Sequence, residues 1–216
     1  MSSTPSVRPR AVFLDRDGVI NRALVREGKP YAPRHLREFR LLPGVGDAVT
    51  RLKSVGFLII VVTNQPDVGH GLTTPETLAA MHARLTAHLP VDAILVCTHR
   101  RDAGCACRKP KPGMIHKAET DWGIDVRRSY LVGDRSTDIV AGRAAGLYTI
   151  FLDRGYAEPL LEPPDARVGS LRQAVREILA REASMEATHG AFETSRVLTE
   201  GEVTAAAALE SARRPP

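Results

Sequence analysis

Short apolar runs alternate along this chain with stretches whose apolar residues recur at helical spacing, and that alternation is the pattern of βαβ units joined into a parallel sheet. Five runs read as strands: Ala11 to Leu14, Phe57 to Val62, Ala93 to Val96, Tyr130 to Val132 and Thr149 to Leu152. The second, FLIIVV, is apolar throughout, so it is expected to be buried on both faces. Between the strands, Val45, Ala48, Val49, Leu52 and Val55 share one helical face, with Pro43 and Gly44 at its start. Thr74 and Pro75 read as an N-cap and first helical residue leading into Leu78, Met81 and Leu85. Pro112 starts a helix carrying Met114, Ile115 and Ala118, and Ser136 is expected to cap another through Ile139 and Val140. From Ser170 a last amphipathic helix aligns Leu171, Ala174, Val175, Ile178 and Leu179. The fold class expected is α/β: a Rossmann-like, three-layer α/β/α arrangement around a parallel sheet.

A chain of 216 residues is long enough for one such domain with a sizeable core. We place the domain at 1–182. Residues 183–216, rich in Ala, Glu and Thr and ending Arg213-Arg214-Pro215-Pro216, are expected to be a disordered or loosely packed tail. No apolar run reaches membrane-spanning length, and the start MSSTPSVRPR lacks the apolar stretch of a secretory signal, so a cytoplasmic protein without a membrane partner is expected. The net charge of +5 gives mild support to an anionic substrate. Nucleic acid is not expected, because aromatics make up 5% of the chain and none interleave with a basic cluster.

The chemistry-bearing residues fall at strand ends. Asp15, Thr63, Cys97 and Asp134 each follow or close an apolar run, and the carboxyl edge of an open parallel sheet is where ligands bind. Asp15 and Asp17, spaced by one residue and closed by Gly18, can face one pocket just past a strand. Two carboxylates so placed repel unless a cation or a shared proton sits between them.

Four signals recur in order: DRDG at 15–18, VVTNQ at 61–65, RKPKP at 108–112 and GDRSTD at 133–138. Together they resemble the haloacid dehalogenase superfamily of phosphotransferases over residues 11 to about 156. The resemblance implies that Asp15 is the nucleophile forming an aspartyl-phosphate and Asp17 the general acid and base. It implies that Thr63 hydrogen-bonds the transferring phosphoryl group while Lys109 offsets its charge. Asp134 would complete a Mg²⁺ site with the Asp15 carboxylate and the Asp17 carbonyl, and Asp138 would brace that site from behind.

All three cysteines and a histidine converge within eleven positions: Cys97, His99, Cys105 and Cys107. Three thiolates and an imidazole are a complete tetrahedral set for Zn²⁺, and four protein ligands leave no open position, so the ion is expected to be structural. A C-x-H…C-x-C loop directly before the RKPKP segment resembles the superfamily branch, subfamily IIIA, that contains heptose bisphosphate and histidinol-phosphate phosphatases. That branch implies a small phosphorylated metabolite as substrate. D-glycero-D-manno-heptose 1,7-bisphosphate comes first and histidinol phosphate second. A non-catalytic zinc-stabilised interaction module is the alternative from another class, and it would be marked by loss of Asp15, Asp17, Lys109 or Asp134; all are present. A nucleic-acid end phosphatase would need a basic groove along the strand ends.

The spacing leaves no room for a large cap, so loops alone are expected to wall the site. A monomer is expected. Asn21, Asn64, Gln65 and Arg108 are the candidates for gripping the rest of the substrate. Pro66, Asp67 and His70 depart from the heptose branch, which usually carries Ser-Gly after the TNQ and an Arg before the next Gly. The five residues between His99 and Cys105, and GDR at 133–135, lean toward the histidinol-phosphate type. KPGM at 111–114 and DRGY at 153–156 lean toward the heptose branch.

Overall fold

The structure, a computed structural model, describes residues 8–188. The chain divides into two units, residues 1–175 and 176–216, and the first contains the whole sheet. Of the second unit, residues 176–188 are helical; the tail expected at 183–216 otherwise lies outside the described residues.

Six strands form one parallel sheet: β1 (Ala11–Leu14), β4 (Leu58–Asn64), β5 (Ala93–Cys97), β6 (Tyr130–Gly133), β7 (Tyr148–Leu152) and β8 (Ala166–Val168). Their order is β5-β4-β1-β6-β7-β8. The chain therefore leaves β1 in one direction to build β4 and β5 and returns to its other side to build β6, β7 and β8. The crevice at the carboxyl end of β1 is the point where that direction reverses. Leu14 is level with Val61 on one side and Val132 on the other, which brings the residues just past all three strands to one edge.

Both faces of the sheet are covered. On one, Ala11, Phe13, Ile60, Val62 and Leu131 join a core with Met114, Ile115 and Ala118 of α4 (Gly113–Trp122) and Ala141 of α5 (Ser136–Ala144). The alternate set, Val12, Leu14, Ile59 and Val61, is equally buried and by strand geometry points the other way. α1 (Val45–Ser54) buries the apolar stripe Val45, Ala48, Val49 and Leu52. α3 (Pro75–His88) starts as read from its sequence, with the Thr77 N–H donating to Thr74 Oγ1 at 3.1 Å. Between β4 and α3 a single turn, α2 (Pro66–Gly69), closes the strand end. No helix among the described residues is long and apolar enough to cross a membrane.

Three local expectations need correction. The stretch between Gly18 and Pro43 is not loop alone: β2 (Leu24–Arg26) and β3 (Lys29–Tyr31) pair as an antiparallel hairpin. Its two turn residues, Glu27 and Gly28, have φ of 50° and 72°, the backbone that matches hairpin twist. Second, β8 is a three-residue strand, too short for its periodicity to register. Third, Ser136 does not cap α5. The Asp138 carboxylate folds back to accept the Arg135 N–H at 3.0 Å, and Ser136 Oγ accepts the Leu161 N–H at 2.8 Å.

Candidate active site

The site is built at the carboxyl ends of β1, β4 and β6 and by the loop that carries Lys109. β1 delivers Asp15, whose N–H continues the sheet by donating to the Val132 carbonyl at 3.0 Å. The chain then turns tightly, the Ile20 and Asn21 N–H groups both donating to the Arg16 carbonyl. Gly18 is required in this turn: its φ is +90°, and a Cβ there would lie 1.6 Å from Asp134 Oδ2. Gly133 is required for a similar reason, since a Cβ would fall 2.1 Å from that of Asp138. Without it Asp138 could not fold back into the site.

Lys109 sits at the centre of these groups. It is 3% exposed, and its Nζ donates to Asp15 Oδ1 at 2.7 Å and to the Val62 carbonyl at 2.7 Å, and pairs with Asp138 Oδ1 at 2.5 Å. Its backbone is fixed by the Asn64 side chain, which donates to the Lys109 carbonyl at 3.0 Å and accepts the Lys109 N–H at 3.1 Å. That two-point grip ties the loop after the cysteine cluster to the end of β4.

The charge count is unbalanced. Asp15, Asp134 and Asp138 each bring an oxygen within 4.8 Å of the others, against the single ammonium of Lys109. Burial, with Asp138 and Asp17 adding to it and Lys109 opposing, pushes the Asp15 pKa up to about 6. Burial and the neighbouring Asp15 and Asp138 raise that of Asp134 well above the carboxylate range. Burial alone would lower the Lys109 pKa, yet Asp138 and Asp15 carry it above the ordinary lysine value. Asp134 Oδ1 is buried without a hydrogen-bond partner, while Oδ2 accepts the Tyr156 O–H at 2.9 Å. Excess buried carboxylate and an orphaned oxygen fit a hard divalent cation such as Mg²⁺.

Asp17 is held from several sides. Arg16 Nη2 donates to both its oxygens at 3.0 Å, Asn21 Nδ2 donates to Oδ1 at 2.9 Å, and Gln65 Nε2 donates to Oδ2 at 2.7 Å. Gln65 Nε2 also lies 2.8 Å from Thr63 Oγ1, which accepts and keeps its own proton to donate. Asn21 and Gln65 are thus placed behind Asp17, almost wholly buried, rather than at the mouth. Arg16 is fully buried beneath them, over the Phe39 ring and 3.1 Å from His82 Nε2. Burial and Arg16 push His82 down to about 4, so the neutral ring accepts from the guanidinium.

The mouth is lined by Tyr31, Pro66, Asp67, Arg101, Arg108 and Arg135. Arg135 is taken by Glu158 through two hydrogen bonds, and Arg34 joins Asp67 at 2.7 Å, tying the chain just after the hairpin to α2. Arg108 Nη1 is buried with no hydrogen-bond partner.

Beside the mouth, Cys97, His99, Cys105 and Cys107 present their ligand atoms within 4.8 Å of one another. Cys97 Sγ is 3.6 Å from both Cys105 Sγ and His99 Nδ1, and Cys107 Sγ is 3.2 Å from His99 Nδ1. A zinc tetrahedron has edges of roughly 3.8 Å between sulfurs and roughly 3.6 Å from sulfur to nitrogen, so the cluster is near the size that Zn²⁺ needs. Burial pushes the Cys97 thiol up to about 12. A cation would reverse that shift.

Arg16 and Arg101 are not among the residues expected from the sequence, and Arg135 and Tyr156 enter there only within the GDR and DRGY strings, with no role at the site. Arg16 carried a signal, as a charged residue locked between two functional aspartates; Tyr156 carried one in following the end of β7 at the same sheet edge.

A HAD-hydrolase-like family model matches residues 106–174. The chain is 37% identical over 158 residues to the D-glycero-beta-D-manno-heptose-1,7-bisphosphate 7-phosphatase of Pseudomonas putida, covering 71% of this chain and 87% of that one. It is 35% identical to the D-glycero-alpha-D-manno-heptose-1,7-bisphosphate 7-phosphatase of Burkholderia mallei, covering 68% and 80%. The crystal structure of the D,D-heptose 1,7-bisphosphate phosphatase from B. bronchiseptica, complexed with magnesium and phosphate, superposes with a TM-score of 0.68 at 29% identity, covering 80% of this chain and 99% of that one.

Proposed function

The chain belongs to the haloacid dehalogenase-like phosphatases, and from that premise we propose that it hydrolyses the 7-phosphate of D-glycero-D-manno-heptose 1,7-bisphosphate through an aspartyl-phosphate on Asp15. The observation that carries this reading is the buried group of Asp15, Lys109, Asp134 and Asp138 at the reversal point of the sheet. Asp15 and Asp134, with the Asp17 carbonyl, would hold Mg²⁺, which when bound offsets charge on the phosphoryl oxygens.

The Asp15 carboxylate attacks phosphorus, the ester P–O bond breaks, and Asp17 gives its proton to the leaving alkoxide. Asp17 then takes a proton from a water that attacks the same phosphorus. The Asp15–phosphorus bond breaks, and inorganic phosphate leaves. Lys109, fixed at both its ammonium and its backbone, and the Thr63 hydroxyl meet the charge of the transferring group. Arg16, Asn21 and Gln65 keep Asp17 in place for both proton transfers. Zn²⁺ on the Cys/His cluster would fix the loop that carries Arg108 and Lys109.

The substrate reading rests on Arg108, whose unpaired Nη1 at the mouth suits a second phosphate some distance from the reacting one. Losing such a charge-assisted contact costs about 1.5–3 kcal/mol, so Arg108→Ala should lower kcat/KM for the heptose bisphosphate roughly 10- to 150-fold. A small aryl phosphate should suffer much less. Steady-state kinetics on the alpha and beta heptose bisphosphates, histidinol phosphate and an aryl phosphate test this. A wild-type enzyme faster on histidinol phosphate would make that the substrate, and equal losses on all substrates in Arg108→Ala would remove its role in specificity.

A further inference from the structure

The turn after β7, Asp153 to Tyr156, touches the site at two points. Arg154 Nε donates to the Gly18 carbonyl at 2.8 Å, and the Tyr156 O–H donates to Asp134 Oδ2 at 2.9 Å. The turn is itself fixed, since Asp153 Oδ1 accepts the Gly155 N–H at 2.9 Å and Gly155 takes a φ of +69°. A Cβ on Gly18 would strike Asp134 Oδ2 and lie 2.9 Å from the Tyr156 hydroxyl, so the Tyr156–Asp134 bond fills the gap that the glycine leaves. One anchor therefore grips the turn that carries Asp15 and Asp17, and the other grips the carboxylate from the neighbouring strand.

We propose that Tyr156, held in place by Arg154, is a positioning residue for the divalent cation: it engages one oxygen of Asp134 and so fixes the carboxylate with its other oxygen free for the ion. The proposal rests on the cation site of the preceding reading. Its physical basis is the difference between the two oxygens. Oδ2 has a donor, whereas Oδ1 is buried with none, so Oδ1 is the Asp134 oxygen left free for a cation. Without the phenol, the Asp134 side chain can rotate, and it can turn toward Lys109 instead of the ion. Groups that orient metal ligands in this way typically contribute about 10- to 100-fold in metal affinity.

The test uses the full chain with its zinc retained and Mn²⁺ as the probe. Mn²⁺ binding is followed by the electron paramagnetic resonance signal of the free ion, for wild type, Tyr156→Phe, Arg154→Ala and Asp134→Asn. Wild type should bind one Mn²⁺ that Mg²⁺ displaces, and Asp134→Asn should abolish this binding. Tyr156→Phe should weaken it about 10- to 100-fold and Arg154→Ala several-fold. The Mg²⁺ concentration for half-maximal activity should rise in the same proportion, while kcat at saturating Mg²⁺ recovers. A packing role alone would lower the melting temperature and leave the Mn²⁺ affinity unchanged, and that result overturns the proposal. Should Tyr156→Phe fail to fold, unchanged affinity in Arg154→Ala does the same. No Mn²⁺ binding by wild type would overturn both the cation site and this inference, whereas wild-type binding that Tyr156→Phe matches overturns the inference alone.

Discussion

Replacing Asp15, the proposed nucleophile, by asparagine should make the magnesium-free protein more stable while abolishing turnover. The Asp15 pKa lies near 6 in the fold against 3.8 for an ordinary aspartate, because burial and the carboxylates of Asp138 and Asp17 outweigh the pull of Lys109. Each unit corresponds to about 1.36 kcal/mol, so ionising Asp15 costs the native state about 3 kcal/mol more than it costs the unfolded chain. Below about pH 4 the carboxyl is neutral in both states and the cost is absent. As pH rises toward 6 the unfolded chain releases this proton and the native protein retains it, so the contribution to stability falls, levelling off above about pH 6. The amide mimics the neutral acid and can still accept from Lys109 Nζ. Urea unfolding in magnesium-free buffer without chelator, so that any zinc on the Cys/His cluster is kept, should therefore show Asp15→Asn more stable than wild type by about 3 kcal/mol at neutral pH and by little near pH 4. For a chain of this size that is roughly 6–12 °C in Tm. Added Mg²⁺ should stabilise wild type and do little for the variant. A variant no more stable than wild type at neutral pH, or a gap between the two that does not widen from pH 4 to 7, would refute the view that Asp15 sits in uncompensated negative surroundings.

Asn64→Ala removes both hydrogen bonds to the Lys109 backbone, together about 2 kcal/mol, and should lower kcat/KM about 30-fold on every phosphate ester alike. A loss confined to the heptose bisphosphate in steady-state assays would return Asn64 to the substrate-contacting role. Cys105→Ser should release zinc, read by metal analysis, and lower the Tm more than it lowers the activity of the folded fraction. Zinc-free wild type prepared without chelator would contradict the cluster's role.

The fold was legible because its signals are local. Each buried strand is a short apolar run and each long helix a periodic one, so the alternation survives in one dimension. The missed elements lack that redundancy: β8 has three residues, and the β2–β3 hairpin is half polar and exposed. That Asp15 and Asp17 share one pocket, and that Cys97, His99, Cys105 and Cys107 cluster, was also legible, because each group lies close together in sequence. Partners distant in sequence were not. Nothing near Asn64 indicates that its amide will grip a backbone 45 residues away, and Gln65 reaches Asp17 across 48. Both looked like exposed polar residues at a strand end. Asp138 shows the intermediate case, since its place one helical turn past Asp134 was readable while its ion pair with Lys109 depended on a loop arriving from elsewhere.

In the proposed mechanism Asp15 carries the phosphoryl group. Acid quenching during turnover of the heptose bisphosphate, followed by peptide mass analysis, tests it directly. One phosphoryl group is expected on the peptide that holds Asp15, and in Asp17→Asn, where both proton transfers have lost their group, overall turnover should fall roughly 10²–10⁴-fold. A phosphoryl group on another residue, or turnover with no phosphorylated enzyme in either protein, would contradict that mechanism.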